Sequence, residues 1–124
     1  DLLVMNQNPR AALTSLVEKD DPSTAETRAF IQRASGAHNN QLECLPLIYG
    51  ALLFALAAGV APGKIDGVAL AYVLLRAIYI ALYLARPSNC TATCRTLVWN
   101  GCIFACWYLF IEAAVAAPKP AYNK

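Results

Sequence analysis

CLPLIYGALLFALAAGVAPG, residues 44–63, decides the fold. These twenty residues sit between Glu43 and Lys64 and carry no charge. A helix needs about 20 mostly apolar residues to cross a hydrocarbon layer about 30 Å thick. The competing reading is a buried helix in a soluble core. Two further apolar runs, 65–85 and 93–117, weigh against it in so short a chain. A sheet is excluded, since an open edge leaves backbone groups unpaired in lipid.

Composition agrees. Hydrophobic residues make up 58% and charged residues 15%, against about half and a quarter in soluble domains. Lipid is therefore the expected solvent. The net charge of +2 and the lack of any basic block exclude a nucleic-acid partner.

Working outward, Gly59 and Pro62-Gly63 close a first membrane helix expected over 37–60. A tight turn over 62–66 sends a second helix back over 65–85, bounded by Pro87. A third is expected over 93–117, stopped by Pro118. Upstream, Asn8-Pro9-Arg10 reads as a helix start before an amphipathic stretch over 11–17. Residues 19–24 read as a loop, with Thr24 capping a helix that begins AETRAFIQR. The opening DLLVM reads as the end of an apolar segment that precedes Asp1. Three units are thus expected: 1–36 as the tail of a missing first helix and a polar amphipathic segment, 37–118 as the membrane domain, and 119–124 as a polar tail. With three crossings, Arg10, Lys19, Arg28, Arg33, Arg86 and Arg95 share one side. Lys64, Lys119 and Lys124 lie on the other. The positive-inside rule assigns the arginine-rich side to the cytoplasm or its equivalent.

Some polar groups stand where lipid should be. Arg76 lies inside the second helix and Glu112 inside the third, each costly there by several kcal/mol. Either can be an interhelical partner, and Arg76 can also snorkel to a headgroup. Tyr72, Arg76, Tyr79 and Tyr83 follow at intervals of four, three and four, so they share a helical face. That face can be an aromatic belt or the wall of a pocket. His38, Asn39, Asn40 and Glu43 cluster at the mouth of the first helix. They can serve as caps or, with the Arg–Tyr face and Arg95, line a polar pocket on the arginine-rich side. Arginines and hydroxyls suit an anion, and a carboxylate suits an ammonium, so a zwitterionic peptide meets both demands.

The five cysteines are an odd number, which argues against a fully paired framework. Cys90 and Cys94 are four apart, as are Cys102 and Cys106. Neither spacing is that of a zinc or thioredoxin motif, and no metal site is expected. Cys102 and Cys106 lie in an apolar run and read as small hydrophobes. A Cys90–Cys94 disulfide is left open. Asn89-Cys90-Thr91 matches a glycosylation sequon on the side where it would go unused.

Four segments together resemble the MAPEG family, membrane-associated proteins in eicosanoid and glutathione metabolism. They are NPR at 8–10, AHNNQLECLPL at 37–47, VALAYVLLRAIYIALYLA at 68–85 and CRTLVW at 94–99. Their order and spacing are similar to those of small bacterial-type members. The resemblance implies an all-α integral membrane bundle of four helices, the first mostly missing from this chain. It also implies a homotrimer with glutathione held between subunits near the cytoplasmic surface. Asn40 and Glu43 match residues that hold the glutathione backbone. Arg76, Tyr79 and Tyr83 match an Arg and two Tyr of the family's third helix. Arg95 matches the arginine that stabilises the glutathione thiolate, and is the expected catalytic residue. Arg33 and His38 complete the expected binding set. Many members carry Arg four residues before the Asn, where this chain has Gly36. The segment between Tyr83 and Arg95 and the acidic stretch around Asp20-Asp21 are longer than the family's usual ones.

Two functions follow. One is a glutathione-dependent transferase or peroxidase acting on lipophilic electrophiles, with glutathione as co-substrate. The other is a catalytically silent subunit of a larger membrane complex in an endomembrane or organelle such as the mitochondrion. A transporter is disfavoured by helices without the interruptions of broken transport helices. Gly50, Ala51, Ala55, Ala57 and Ala58 are expected to let the first helix approach its neighbours closely.

Overall fold

A computed structural model of the 124-residue chain describes residues 11, 14–15, 22–85 and 88–118. The expected start at Asn8-Pro9, most of the amphipathic stretch 11–17 and the tail 119–124 lie outside them. A 3₁₀ turn over Pro22–Thr24 leads into three helices: α1 (Ala25–Ala57), α2 (Pro62–Leu84) and α3 (Asn89–Ala116). No strand occurs among the described residues. All three helices are long and apolar enough to cross a membrane. The protein is an all-α integral membrane bundle.

The turn between α1 and α2 is set by one glycine. Gly59 adopts φ +73°, a conformation that costs glycine nothing. Its N–H reaches the Leu56 carbonyl at 3.1 Å, and the Val60 N–H reaches Ala55 at 3.0 Å. These two bonds form a Schellman motif that satisfies carbonyls at the end of α1. Pro62 then opens α2, where a missing N–H costs nothing.

Two boundaries differ from expectation. The first membrane helix, expected from 37, runs unbroken from Ala25 as α1. At about 50 Å, this 33-residue helix is longer than the membrane is thick. Its polar part comes close to α2 at one point: a Cβ on Gly36 would lie 2.7 Å from the Tyr83 hydroxyl oxygen. Pro46 also lies within α1. Helix α3 starts at Asn89, four residues before the expected 93. The reason is a reciprocal cap. The Ser88 hydroxyl accepts from the Thr91 N–H at 3.1 Å, and Thr91 Oγ1 accepts from the Ser88 N–H at 2.9 Å. Asn89 and Cys90, in the longer segment between Tyr83 and Arg95, therefore belong to the first helical turn.

The helices meet along small residues. Helix α2 packs most extensively on α3, and α1 packs on both. The core comprises Ile48, Ala51 and Ala55 of α1, Ile65 and Tyr72 of α2, and Cys102, Cys106, Leu109 and Ala113 of α3, with Val60 from the turn. Ala51 and Ala55 are wholly buried, and Gly50 faces the Phe110 ring. Ala57 is exposed, one residue off that stripe. Cys102 and Cys106 are free, buried and packed as apolar residues. Large apolar side chains such as Leu53, Phe54, Leu70, Val73, Phe104 and Trp107 face outward, as lipid-facing helices require.

Candidate functional site

The site is built on the buried stripe of α1. Ala37, Cys44, Ile48, Ala51 and Ala55 are buried at intervals of three, four and seven. Asn40 and Gln41 lie on the same side and turn toward α2. Arg76 reaches them from α2. It is only 5% exposed, the one charged residue buried among the described residues. Its Nε donates to Gln41 Oε1 at 2.6 Å. Its Nη2 donates to the Asn40 carbonyl and to Asn40 Oδ1, both at 3.1 Å. Its Nη1 is buried without an acceptor. The guanidinium lies over the Tyr79 ring, 4.8 Å from the centroid, a cation–π contact.

Helix α3 supplies the second cation. The Arg95 guanidinium stacks 4.5 Å above the Tyr83 ring, and that ring packs 5.6 Å from Tyr79. Asn40, Tyr79, Arg95, Thr96 and Trp99 line an open cavity of about 200 Å³. The cavity holds two hydrogen-bonding side chains, one fixed cation and two aromatic walls. No His/Cys/Asp/Glu group able to hold a metal occurs among the described residues. The arrangement suits an anionic group that also accepts stacking.

Residues 3–115 match the MAPEG family. The chain belongs to the MAPEG family. A comparison with curated proteins found no match, and a comparison with solved structures found none.

In this MAPEG chain, Asn40, Arg76, Tyr79, Tyr83 and Arg95 come together at one end of the bundle. Glu43 and His38 do not join them. Glu43 is exposed and makes no hydrogen bond or ion pair with the described residues. Successive helical residues turn by about 100°, so Glu43 falls beside the Cys44 seam and faces outward. His38 lines a different hollow of about 760 Å³ with Phe30, Ile31, Ala34, Ser35 and Leu42, among others. Arg33 is half-buried, its guanidinium 6.0 Å from the Phe30 ring, and its Nε has no acceptor. Glu112 is an interhelical partner, paired with Lys64 at 2.7 Å.

Sequence reasoning missed Gln41, Thr96 and Trp99. Gln41 could have been found, because it lies seven residues before Ile48 on the small-residue stripe. Thr96 and Trp99 are one and four residues beyond Arg95 and gave no signal of their own.

Proposed function

We propose that this protein is a glutathione-dependent transferase or peroxidase acting on lipophilic electrophiles delivered by the membrane. The observation that carries the reading is the convergence of Asn40, Tyr79 and Arg95 on one open cavity, backed by the buried cation of Arg76. A free thiol has a pKa of about 8.5, and a neighbouring guanidinium favours the thiolate. Arg95 is assigned that role. The thiolate sulfur then forms a bond to an electrophilic carbon as the carbon's leaving group departs, or to a peroxide oxygen as the O–O bond breaks and an alcohol leaves after taking a proton from water. Asn40 and Tyr79 orient the peptide, and Arg76 supplies fixed positive charge behind them.

The cavity is smaller than the roughly 300–1,000 Å³ of small-molecule sites and too small to enclose a tripeptide. A second copy of the chain, as in the trimer the family resemblance implies, completes it in this reading. Glu43, exposed beside the seam, is then placed to meet the ligand or the neighbouring copy. Isothermal titration of the detergent-extracted protein with glutathione tests the reading. Saturable binding that Arg95→Ala weakens by about tenfold is expected, the scale of one charge-assisted hydrogen bond. Binding that is unchanged in Arg95→Ala removes that residue from the mechanism.

One observation favours a second reading, a silent accessory subunit of a larger membrane assembly. Arg76 directs its Nε and Nη2 hydrogen bonds to Gln41 and Asn40 of its own chain, so it already serves a structural purpose. Failure of the native protein to bind glutathione, with co-purification of other subunits in fixed ratio, would establish that reading.

A further inference from the structure

All five cysteines are free, but they fall into two groups. Cys44, Cys102 and Cys106 are buried along the helix seams. Cys90 is exposed and Cys94 half-buried, one turn apart at the start of α3. Four residues apart on one helix, the two thiols stand on the same face, one turn from each other. At 28 residues, α3 is about 42 Å long, more than the hydrocarbon layer spans. Its first eight residues, NCTATCRT, include Arg95 and three threonines. The pair therefore lies on the polar end, within reach of water. The residue after Cys94 is Arg95, which lines the cavity.

We propose that Cys90 and Cys94 form a reversible oxidation site, closed to a disulfide by an organic hydroperoxide, and that closure displaces Arg95 from the cavity. Cys90 is the second residue of its helix and the more exposed of the two thiols, so it meets a peroxide first. Its sulfur attacks the peroxide. An S–O bond forms, the O–O bond breaks, and an alcohol leaves with a proton from water. The resulting sulfenic acid is attacked by the Cys94 sulfur. An S–S bond forms, the S–O bond breaks, and water leaves carrying the Cys94 proton. Two thiols and one hydroperoxide thus give one disulfide, one alcohol and one water.

Geometry links the bond to Arg95. Helical residues four apart hold their Cβ atoms about 5–6 Å from each other, whereas a disulfide draws them to about 3.8 Å. Closure must pull the first turn inward against the Ser88–Thr91 cap. Arg95 follows directly in the chain, and its stacking on Tyr83 at 4.5 Å depends on where that turn lies.

The test uses the full chain in mild detergent, with no glutathione present. The protein is treated with tert-butyl hydroperoxide, trapped with N-ethylmaleimide and digested for mass spectrometry. The expected product is a segment bearing Cys90 and Cys94, two hydrogens lighter and unalkylated, restored by dithiothreitol. Alkylation of both thiols after peroxide treatment overturns the proposal, as does a covalent dimer on a non-reducing gel in place of the internal loop. The second measurement is made in Trp107→Phe, which leaves Trp99 in the cavity wall as the one tryptophan. Its emission should shift on oxidation, return on reduction, and stay still in Cys94→Ser. A disulfide that leaves the Trp99 emission unchanged overturns the displacement of Arg95. Should Cys94→Ser fail to fold, the thiol trapping on the native chain still decides the chemistry.

Discussion

The two ends of the bundle treat charge in opposite ways. At one end Lys64, opening α2, meets Glu112 near the close of α3 at 2.7 Å. Both side chains are partly exposed, and the pair neutralises itself. At the other end Arg76 is buried and Arg95 stands over Tyr83, and neither meets a carboxylate among the described residues. Arg76 is held by neutral oxygens and an aromatic face instead. An end that cancels its own charge has little left for a ligand. An end that holds cations on amides and rings keeps its positive field, which is what an anionic ligand requires.

The sharpest way to break this contrast is to remove Arg76. Arg76→Ala leaves Gln41 Oε1 and Asn40 Oδ1 without their donor and opens a void under Tyr79. Hydrogen bonds to a charged group are each worth about 1.5–3 kcal/mol. Since the three are not additive, a loss of about 3 kcal/mol is expected, read as a fall in thermal stability in detergent. Glutathione binding should vanish with it. Arg76→Lys keeps the charge but not the planar fork, so it should fall between the two. Arg76→Ala with native stability would show that the polar end is not held by this residue.

Arg95→Ala comes next in size and separates site from scaffold. Arg95 lies on the surface of the bundle end and packs on one ring, so stability should change by less than about 1 kcal/mol. Glutathione affinity should fall about tenfold, the effect of one charge-assisted hydrogen bond. A stability loss equal to that of Arg76→Ala would place Arg95 in the scaffold.

Much of this was legible in the sequence, and for physical reasons. Hydropathy runs and the Gly59, Pro62 and Pro118 breakers depend on local chemistry, so the three spans could be read without contacts. The Tyr72–Arg76–Tyr79–Tyr83 face was legible because helical spacing alone puts those residues together. Asn40 was legible for the same reason, but Glu43 and Gln41 were not told apart. Both lie within a turn of Asn40, and only the position of α2 selects Gln41. The start of α3 was misplaced because Ser88 and Thr91 cap each other with a Thr where a Glu or Gln usually signals the motif. The unbroken α1 was missed because its start is polar and carries a glycine at 36, a weak helix former, and the close approach of Gly36 to Tyr83 of α2 is a tertiary contact that local composition does not signal.

That contact gives a smaller prediction. A Cβ at position 36 would lie 2.7 Å from the Tyr83 hydroxyl oxygen and 3.2 Å from its ring carbons. Gly36→Ala should therefore push Tyr83 outward, at a cost of about 1 kcal/mol, and disturb the platform beneath Arg95. Glutathione affinity should drop by a few-fold at most, since Arg95 itself remains. Tyr83→Phe removes the atom in closest conflict, so the double variant should recover part of the loss. A double variant no better than Gly36→Ala alone would mean that the strain lies in the α1 backbone.

The smallest effect is expected at the other end. Lys64→Met and Glu112→Gln each break an ion pair that solvent already screens, and exposed pairs contribute little to stability. The melting temperature should fall by less than in Gly36→Ala. Glutathione binding should be unchanged, because Lys64 and Glu112 lie at the opposite end of α2 and α3 from Tyr83 and Arg95. A loss of binding in either variant would mean that the two ends are coupled through the Cys102–Leu109 seam of α3. The self-neutralised pair would then be a tuning element for the cationic end, and the contrast between the two ends would describe one device in place of two independent ones.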